Sequence, residues 1–418
     1  MTTFVLCAVY VLISVPWGLL RRAMQSKYDA VVIGAGPAGS SAAFEIASAG
    51  YSVLMLEKHK RPGSPLCCAE AVSKPTMGQY LKPEPEWIST YVHKIKLVSP
   101  GGAEGKIYHP DAGYVLDRKV FDNALAERAV RAGAELECEA IGLGVFERDG
   151  LYEAIDILRP DGSIVRVEAR IFIAADGVES KIARLAGIDN LIDESDVESL
   201  LQYRVEGISL DPEMLEFYVG NEIAPRGYIW VFPKSQSSAN VGLGISTALE
   251  KGELTASYLD RFMERRFGKD FNIIERHCGL VPRYQGEGAF RKGNLLVVGD
   301  AARAIDSLSG AGILNAIISG IYAGRASSKY LENGALGEKE LDLLYPGEFL
   351  KLKGNELKMY SRLRNVYNKL SDAEFDDIIE YVGTYFGDRP VKSLNAINFL
   401  TNMITKRPKL IRLVKHLV

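Results

Sequence analysis

Residues that commonly hold metals are scarce here, with five histidines and five cysteines among 418 residues. The histidines form no H-E-x-x-H, and the cysteines (Cys7, Cys67, Cys68, Cys138, Cys278) form no paired C-x-x-C. No metal site is therefore expected from short-range spacing. An odd number of thiols in a chain of this length argues against a disulfide scaffold and fits a reducing cytosol. Charge excess is missing too. Fifty Lys and Arg against 53 Asp and Glu leave a formal net charge of −3, which provides no basic field for nucleic acid. Internal repeats and low-complexity tracts are absent. What is present is 47% hydrophobic and 25% charged residues, an ordinary soluble α/β composition with length for two or three lobes.

The strongest signal is YDAVVIGAGPAGSSAAFEIASAGYSVLMLE, residues 28 to 57. Tyr28 to Ile33 is apolar enough for a buried parallel strand. Gly34, Gly36 and Gly39 follow as G-x-G-x-x-G, then a small-residue helix from Ser40 to Ala49, then a second strand from Tyr51 to Leu56 with Glu57 at its end. In this strand–turn–helix–strand context the pattern predicts a dinucleotide site. Gly34 permits the tight turn, Gly36 lets a pyrophosphate approach the backbone, and Gly39 allows close helix–strand packing. The helix start offers free N–H groups to phosphates. Glu57 suits a ribose 2′-OH and disfavours a 2′-phosphate. The alternative is an α/β turn that uses three glycines for packing alone.

Ahead of this unit, Phe4 to Leu20 is nearly all apolar, interrupted by Ser14, Pro16 and Gly18, with Arg21 and Arg22 behind it. At roughly 1.5 Å per residue it barely spans a bilayer core. Its charges follow the run, whereas a signal peptide carries them in front. It reads as a single membrane anchor with a cytoplasmic basic flank, or as a stretch upstream of a true start at Met24. The closeness of Met24 to the first strand favours the second reading.

Beyond Glu57, KHKRPGSPLCCAEAVS is a Pro- and Gly-rich loop carrying Cys67, Cys68 and Glu70. It is either an irregular surface loop with inert thiols or a loop near a reactive cofactor. Residues 92 to 116 read as a β ribbon. Arg118 then starts a helix with Val120, Phe121, Leu125, Ala129 and Val130 at helical spacing, closed by Gly133. A cation at a helix N-terminus is unfavourable, and a partner anion such as a cofactor phosphate would remove the conflict. Tyr152 to Val167 reads as a hairpin, and IFIAADG (171 to 177) as a further buried strand ending at Asp176.

Residues 198 to 247 change character to short aromatic and β-branched strands, as in an antiparallel sheet. In one of them Tyr228, Trp230 and Phe232 alternate onto one face. They form either a core strand or the wall of a slot for a hydrocarbon. NLLVVGD (294 to 300) is another buried strand ending in Asp300. Ser309 to Gly312 then opens a helix running to about Lys329. The tail KLIRLVKHLV (409 to 418) is a basic amphipathic helix, docked on the protein or in contact with a membrane.

Three stretches together resemble a known superfamily: GAGPAG with Glu57, ADG (175 to 177) and GDAARAIDSLSGAGI (299 to 313). They are similar to the FAD-dependent para-hydroxybenzoate hydroxylase-like proteins. CAEAVS (68 to 73) and RGYIWVFPK (226 to 234) look like the geranylgeranyl reductase family within it, whose digeranylgeranylglycerophospholipid reductases act on archaeal ether lipids. Family members often carry Arg where Cys67 stands and Pro where Ser307 stands. The resemblance implies an α/β fold: a Rossmann-like FAD-binding domain (24–90, 114–190, 285–332), an inserted antiparallel β-sheet substrate domain (91–113, 191–284) and a C-terminal helical region (333–418). By motif match it implies FAD contacts at Gly34, Gly36, Ala38, Gly39, Glu57, Lys58, Cys68, Ala69, Arg118, Asp176, Asp300, Gly312 and Ile313. Substrate contacts are implied at Tyr228, Trp230 and Phe232. Cys68, Glu70 and Tyr228 are the acid or positioning candidates, unranked.

The implied activity is saturation of polyprenyl C=C bonds with electrons from NAD(P)H, reduced ferredoxin or another carrier. It implies a cytoplasmic chain peripherally associated with the membrane. An FAD-dependent aromatic monooxygenase and a flavoprotein electron carrier to a membrane quinone are the competing readings.

Overall fold

The computed structural model describes residues 24–65, 68–188, 197–246, 254–284, 286, 290–332, 337–387, 389–391 and 396–410. The apolar segment 1–23, Cys67 and the tail from residue 411 onward lie outside them, so the anchor and tail readings find no counterpart here.

Two eight-stranded sheets organise the chain. The first contains β1 (Lys27–Ile33), β2 (Val53–Glu57), β6 (Glu135–Cys138), β7 (Ile141–Arg148), β8 (Leu151–Leu158), β9 (Ile164–Ala174), β15 (Arg291–Lys292) and β16 (Leu295–Val297). Its backbone is the parallel run β16-β9-β1-β2-β6. β1 is central, pairing Ala30 with both Val53 and Ile171. That position explains its continuous apolar reading, since Val31 and Val32 have water on neither side. The hairpin expected at 152–167 and the strand expected at 171–177 share one strand. β9 pairs antiparallel with β8 through its first half and parallel with β1 through its second.

The second sheet runs β14-β10-β13-β12-β11-β4-β5-β3. Its members are β3 (Ala71–Ser73), β4 (Ile88–Val98), β5 (Glu104–Leu116), β10 (Val197–Glu206), β11 (Met214–Val219), β12 (Tyr228–Pro233), β13 (Ser238–Ser246) and β14 (Asn272–Pro282). It is antiparallel apart from β4 with β11, which are parallel. Residues 71–73, 88–90 and 114–116 belong to this sheet, so it extends beyond the expected 91–113.

Helix α1 (Pro37–Ser48) follows the glycine turn, and α2 (Arg118–Arg131) packs beside it. α3 (Thr255–Phe267) covers the second sheet's outer face, burying Leu259, Phe262 and Met263 against Ile229 and Val231. α4 (Ile313–Glu332) crosses α1 closely. A Cβ on its Gly320 would stand 2.1 Å from the Ala38 carbonyl oxygen. The C-terminal helices α5 (Glu348–Tyr367), α6 (Asp372–Phe386) and α7 (Ala396–Lys406) share a core with the second sheet, where Val219 meets Phe375 and Ile379. No helix among the described residues is long and apolar enough to cross a membrane.

The contact at Gly320 gives a stability test. Gly320→Ala places a methyl group into the α1 backbone, so denaturant titration is expected to show a loss of about 1–3 kcal/mol. An unchanged midpoint would contradict the packing described.

Candidate functional site

The glycine turn supplies the first wall of the site. Gly34, at φ +104°, takes the chain out of β1. Gly39 is needed for contact, because a Cβ there would lie 1.9 Å from the Gly34 carbonyl oxygen. Gly36 differs, since a Cβ on it would meet nothing within 4 Å. That empty space, at the N-cap of α1 with Pro37 opening the helix, leaves room for a group beside the free N–H donors. Glu57, 8% exposed, accepts the Ala35 N–H (3.3 Å) and the His59 N–H (2.9 Å), which fixes its carboxylate at the end of β2.

The second wall is the loop after β2 and the start of α2. Asp117 caps α2 by accepting the N–H groups of Lys119 and Val120. Arg118 follows, and its anion is Asp122, one turn along. The guanidinium holds both carboxylate oxygens, at 2.7 and 2.6 Å. The cation at the helix start therefore has a partner from its own helix and does not depend on a cofactor phosphate. The Arg118 charge also acts on the Cys68 thiol. Burial pushes that thiol above its ordinary range, against the pull of the Arg118 charge. The Cys68 sulfur further accepts the Glu70 N–H at 3.3 Å.

Glu70 itself is 5% exposed and has φ +74°. Its Oε1 accepts the Arg118 N–H at 2.9 Å. Its Oε2 accepts from Lys234 Nζ at 2.8 Å and from Asn240 Nδ2 at 2.5 Å. Burial lowers the Lys234 ammonium's proton affinity, and Glu70 opposes that shift.

The third wall is β12. Tyr228, Trp230 and Phe232 turn to the inner face, while Ile229 and Val231 enter the core under α3. Phe217 packs against both Tyr228 and Phe232, with ring centroids 5.6 and 5.2 Å away. Trp230 donates its indole N–H to Gln202 Oε1 at 3.0 Å. The Tyr228 hydroxyl donates to the Ser309 carbonyl. Burial, reinforced by the nearby Glu198 charge, raises that hydroxyl well above the ordinary tyrosine range.

These walls enclose a cavity of about 400 Å³. On its surface the structure brings together Gly36, Ala38, Cys68, Ala69, Glu70, Arg118, Tyr228, Trp230, Phe232, Asp300, Gly312 and Ile313. Gly34, Gly39, Glu57, Lys58 and Asp176 are not on its wall. Gly34 and Gly39 shape the turn, and Lys58 reaches outward to Glu179 at 2.9 Å. Asp176 holds the Ile182 N–H with one oxygen, while its other oxygen is buried without a hydrogen bond.

The residues present suit a dinucleotide with a sugar-like linker. N–H groups and empty space stand at Gly36, Glu57 and Asp176 offer acceptor oxygens, and Asp300 carries a carboxyl whose proton affinity is raised by burial. Asp122, Glu198, Lys234 and Asn240 were not singled out from sequence. The i, i+4 spacing of Arg118 and Asp122 was a readable signal. The partners of Lys234 and Glu198 come from segments far apart in the chain.

Residues 196–281 match the geranylgeranyl reductase catalytic domain, and residues 32–78 match an NAD(P)-binding Rossmann-like domain. The digeranylgeranylglycerophospholipid reductase of Methanosarcina acetivorans is 37% identical over 364 residues, covering 85% of this chain and 89% of the relative. That of Methanospirillum hungatei is 37% identical over 397 residues, covering 93% and 96%. The chain belongs to the geranylgeranyl reductase family. A geranylgeranyl bacteriochlorophyll reductase-like protein from Thermoplasma acidophilum superposes with a TM-score of 0.84 at 32% identity, covering 94% of this chain and all of that one. The myxobacterial chondrochloren halogenase CndH, at 17% identity and TM-score 0.68 over 93% of this chain and 91% of its own, shares the fold.

The buried Glu70–Lys234 pair gives a test. Removing one partner strands a charge, so Lys234→Met is expected to cost about 3–5 kcal/mol. Adding Glu70→Gln should recover part of that loss in a double-mutant cycle. Additive losses would show that the two groups do not depend on each other.

Proposed function

We propose that the chain is an FAD-dependent reductase that saturates C=C bonds of geranylgeranyl chains in archaeal-type ether phospholipids. The observation that carries this is a single cavity lined on one side by the Gly36 turn and on the other by Tyr228, Trp230 and Phe232. A cofactor bound at the turn and an apolar chain lying along the aromatic face would share that space.

FAD, when bound and reduced, supplies the hydride. The chain's own residues do the rest. The aromatic face and Phe217 hold a trisubstituted alkene and exclude water. Cys68 is the proton donor. Its thiol is kept protonated by burial, and it faces the cavity beside Arg118. The Cys68 thiol would give its proton to the less substituted alkene carbon, and with the hydride from the bound cofactor each double bond would gain two hydrogens. The Arg118 charge and the Glu70 N–H stabilise the thiolate left behind, which takes a proton from solvent once the product has left the slot.

Glu70 has no such role. Both its oxygens are taken up by three N–H donors, and it acts as an anchor. Tyr228 keeps its proton, directs it to the Ser309 carbonyl and positions the chain. The reductant is NAD(P)H or reduced ferredoxin, and a lipid substrate implies contact with a membrane surface.

Anaerobic incubation with dithionite and digeranylgeranylglycerophospholipid, read by mass, is expected to show additions of two hydrogens per reduced bond. Unchanged lipid would support the electron-carrier reading, and oxygen-dependent turnover of an aromatic compound would support the monooxygenase. Cys68→Ser should lower kcat about 10²-fold or more with flavin still bound. Full turnover in that variant would remove Cys68 as donor.

A further inference from the structure

A second cavity, of about 240 Å³, lies beside the aromatic slot, and Glu70 lines both. Cross-strand rows connect the two. Phe232 stands opposite Asn240, Asn240 opposite Arg204, and Arg204 opposite Glu275. In the next row Trp230 stands opposite Gly242, Gly242 opposite Gln202, and Gln202 opposite His277. Directly opposed residues share a face, so one face of the sheet is aromatic along β12 and becomes polar and charged across β10 and β14. The Trp230–Gln202 hydrogen bond spans the boundary.

The charges lining this chamber are nearly all committed. Lys234 pairs with Glu70 at 2.8 Å. Lys119 pairs with Glu275 at 2.6 Å, and the other Glu275 oxygen meets His277 Nε2 at 2.8 Å. Asp117 caps α2. Arg204 is the exception: among the described residues its Nε is buried without a hydrogen-bond partner. A guanidinium donor left unmatched in a polar cavity is suited to an oxyanion, which it can hold through two parallel N–H bonds. Three acids, Glu70, Asp117 and Glu275, border the same space, so the chamber selects an anion that reaches Arg204 directly rather than by a general positive field.

We propose that this chamber binds the phosphate of an amphiphile whose apolar chain occupies the aromatic slot, with Arg204 as its principal ligand. The proposal rests on the reductase reading for the chain in the slot. A lipid headgroup and free phosphate share this chemistry, and the test separates them.

The FAD-loaded wild type, Arg204→Gln and Arg204→Lys are assayed with digeranylgeranylglyceryl phosphate and with uncharged geranylgeraniol. Arg204→Gln should raise the KM ratio of phosphate lipid to alcohol about tenfold or more, and Arg204→Lys should recover part of it. Bound-flavin absorbance reports that each variant is folded. Inorganic phosphate and glycerol 1-phosphate are added as inhibitors. Competition with the phosphate lipid that is lost in Arg204→Gln supports a headgroup site. Inhibition that is not competitive, yet is lost in the variant, supports a site for free phosphate. An unchanged KM ratio together with unchanged inhibition overturns the proposal. Calorimetric titration of inorganic phosphate into wild type and Arg204→Gln reads the site without turnover. Wild type that reduces neither substrate but loses phosphate binding in Arg204→Gln would refute the reductase reading and leave the anion site standing.

Discussion

Glu70 is a carboxylate with almost no access to water, and three separate segments are tied to it. It lies between the first sheet's β2 and the second sheet's β3. It accepts from the backbone at the start of α2, from Lys234 just after β12, and from Asn240 on β13. Burying a charge costs several kcal/mol unless partners offset it, and here three N–H donors do so. Its backbone sits in the left-handed region, which costs an L-residue of order 1–3 kcal/mol and persists only where surroundings fix it. The loop carrying Cys68 is thereby held at a set distance from the aromatic strand. Cofactor turn, thiol and aromatic face can then line one cavity although they come from three parts of the chain.

The opposite end of the aromatic strand is held by the C-terminal helices. Arg364 of α5 is 1% exposed, donates to the Arg226 carbonyl at 2.5 Å and pairs with Glu198 on β10. Tyr367 donates to the Gly227 carbonyl at 2.6 Å. Both contacts fall on the turn that leads into Tyr228. Lys234 at one end and α5 at the other therefore fix β12 as a rigid element. A rigid wall favours a reaction that requires an alkene to be held at bonding distance, since misplacement by an ångström is costly.

The parts legible in the sequence are those set by local pattern. The glycine spacing, the apolar run of β1 and the alternation of Tyr228, Trp230 and Phe232 each reflect a backbone geometry with a short period, and each reappears in the structure. Asp122 was within reach of the same reasoning, four residues after Arg118. Glu70 could be seen as chemically interesting but not as an anchor, because its partners lie up to 170 residues away. Lys234 stood inside a recognised stretch, yet nothing local says that a lysine after an aromatic strand turns inward to a carboxylate. The double duty of β9 was hidden for a similar reason. A strand that changes partners halfway along leaves no mark in hydrophobic periodicity.

The central claim is that the cofactor's reactive end and a prenyl double bond meet between the Gly36 turn and the aromatic face. A crystal structure of the chain with FAD and a geranylgeranyl phospholipid measures this most directly. The account predicts an alkene carbon within about 3.5 Å of flavin N5, flanked by Tyr228 and Trp230, with the Cys68 thiol within reach of the double bond. A prenyl chain bound elsewhere, or a flavin ring turned away from β12, would contradict it.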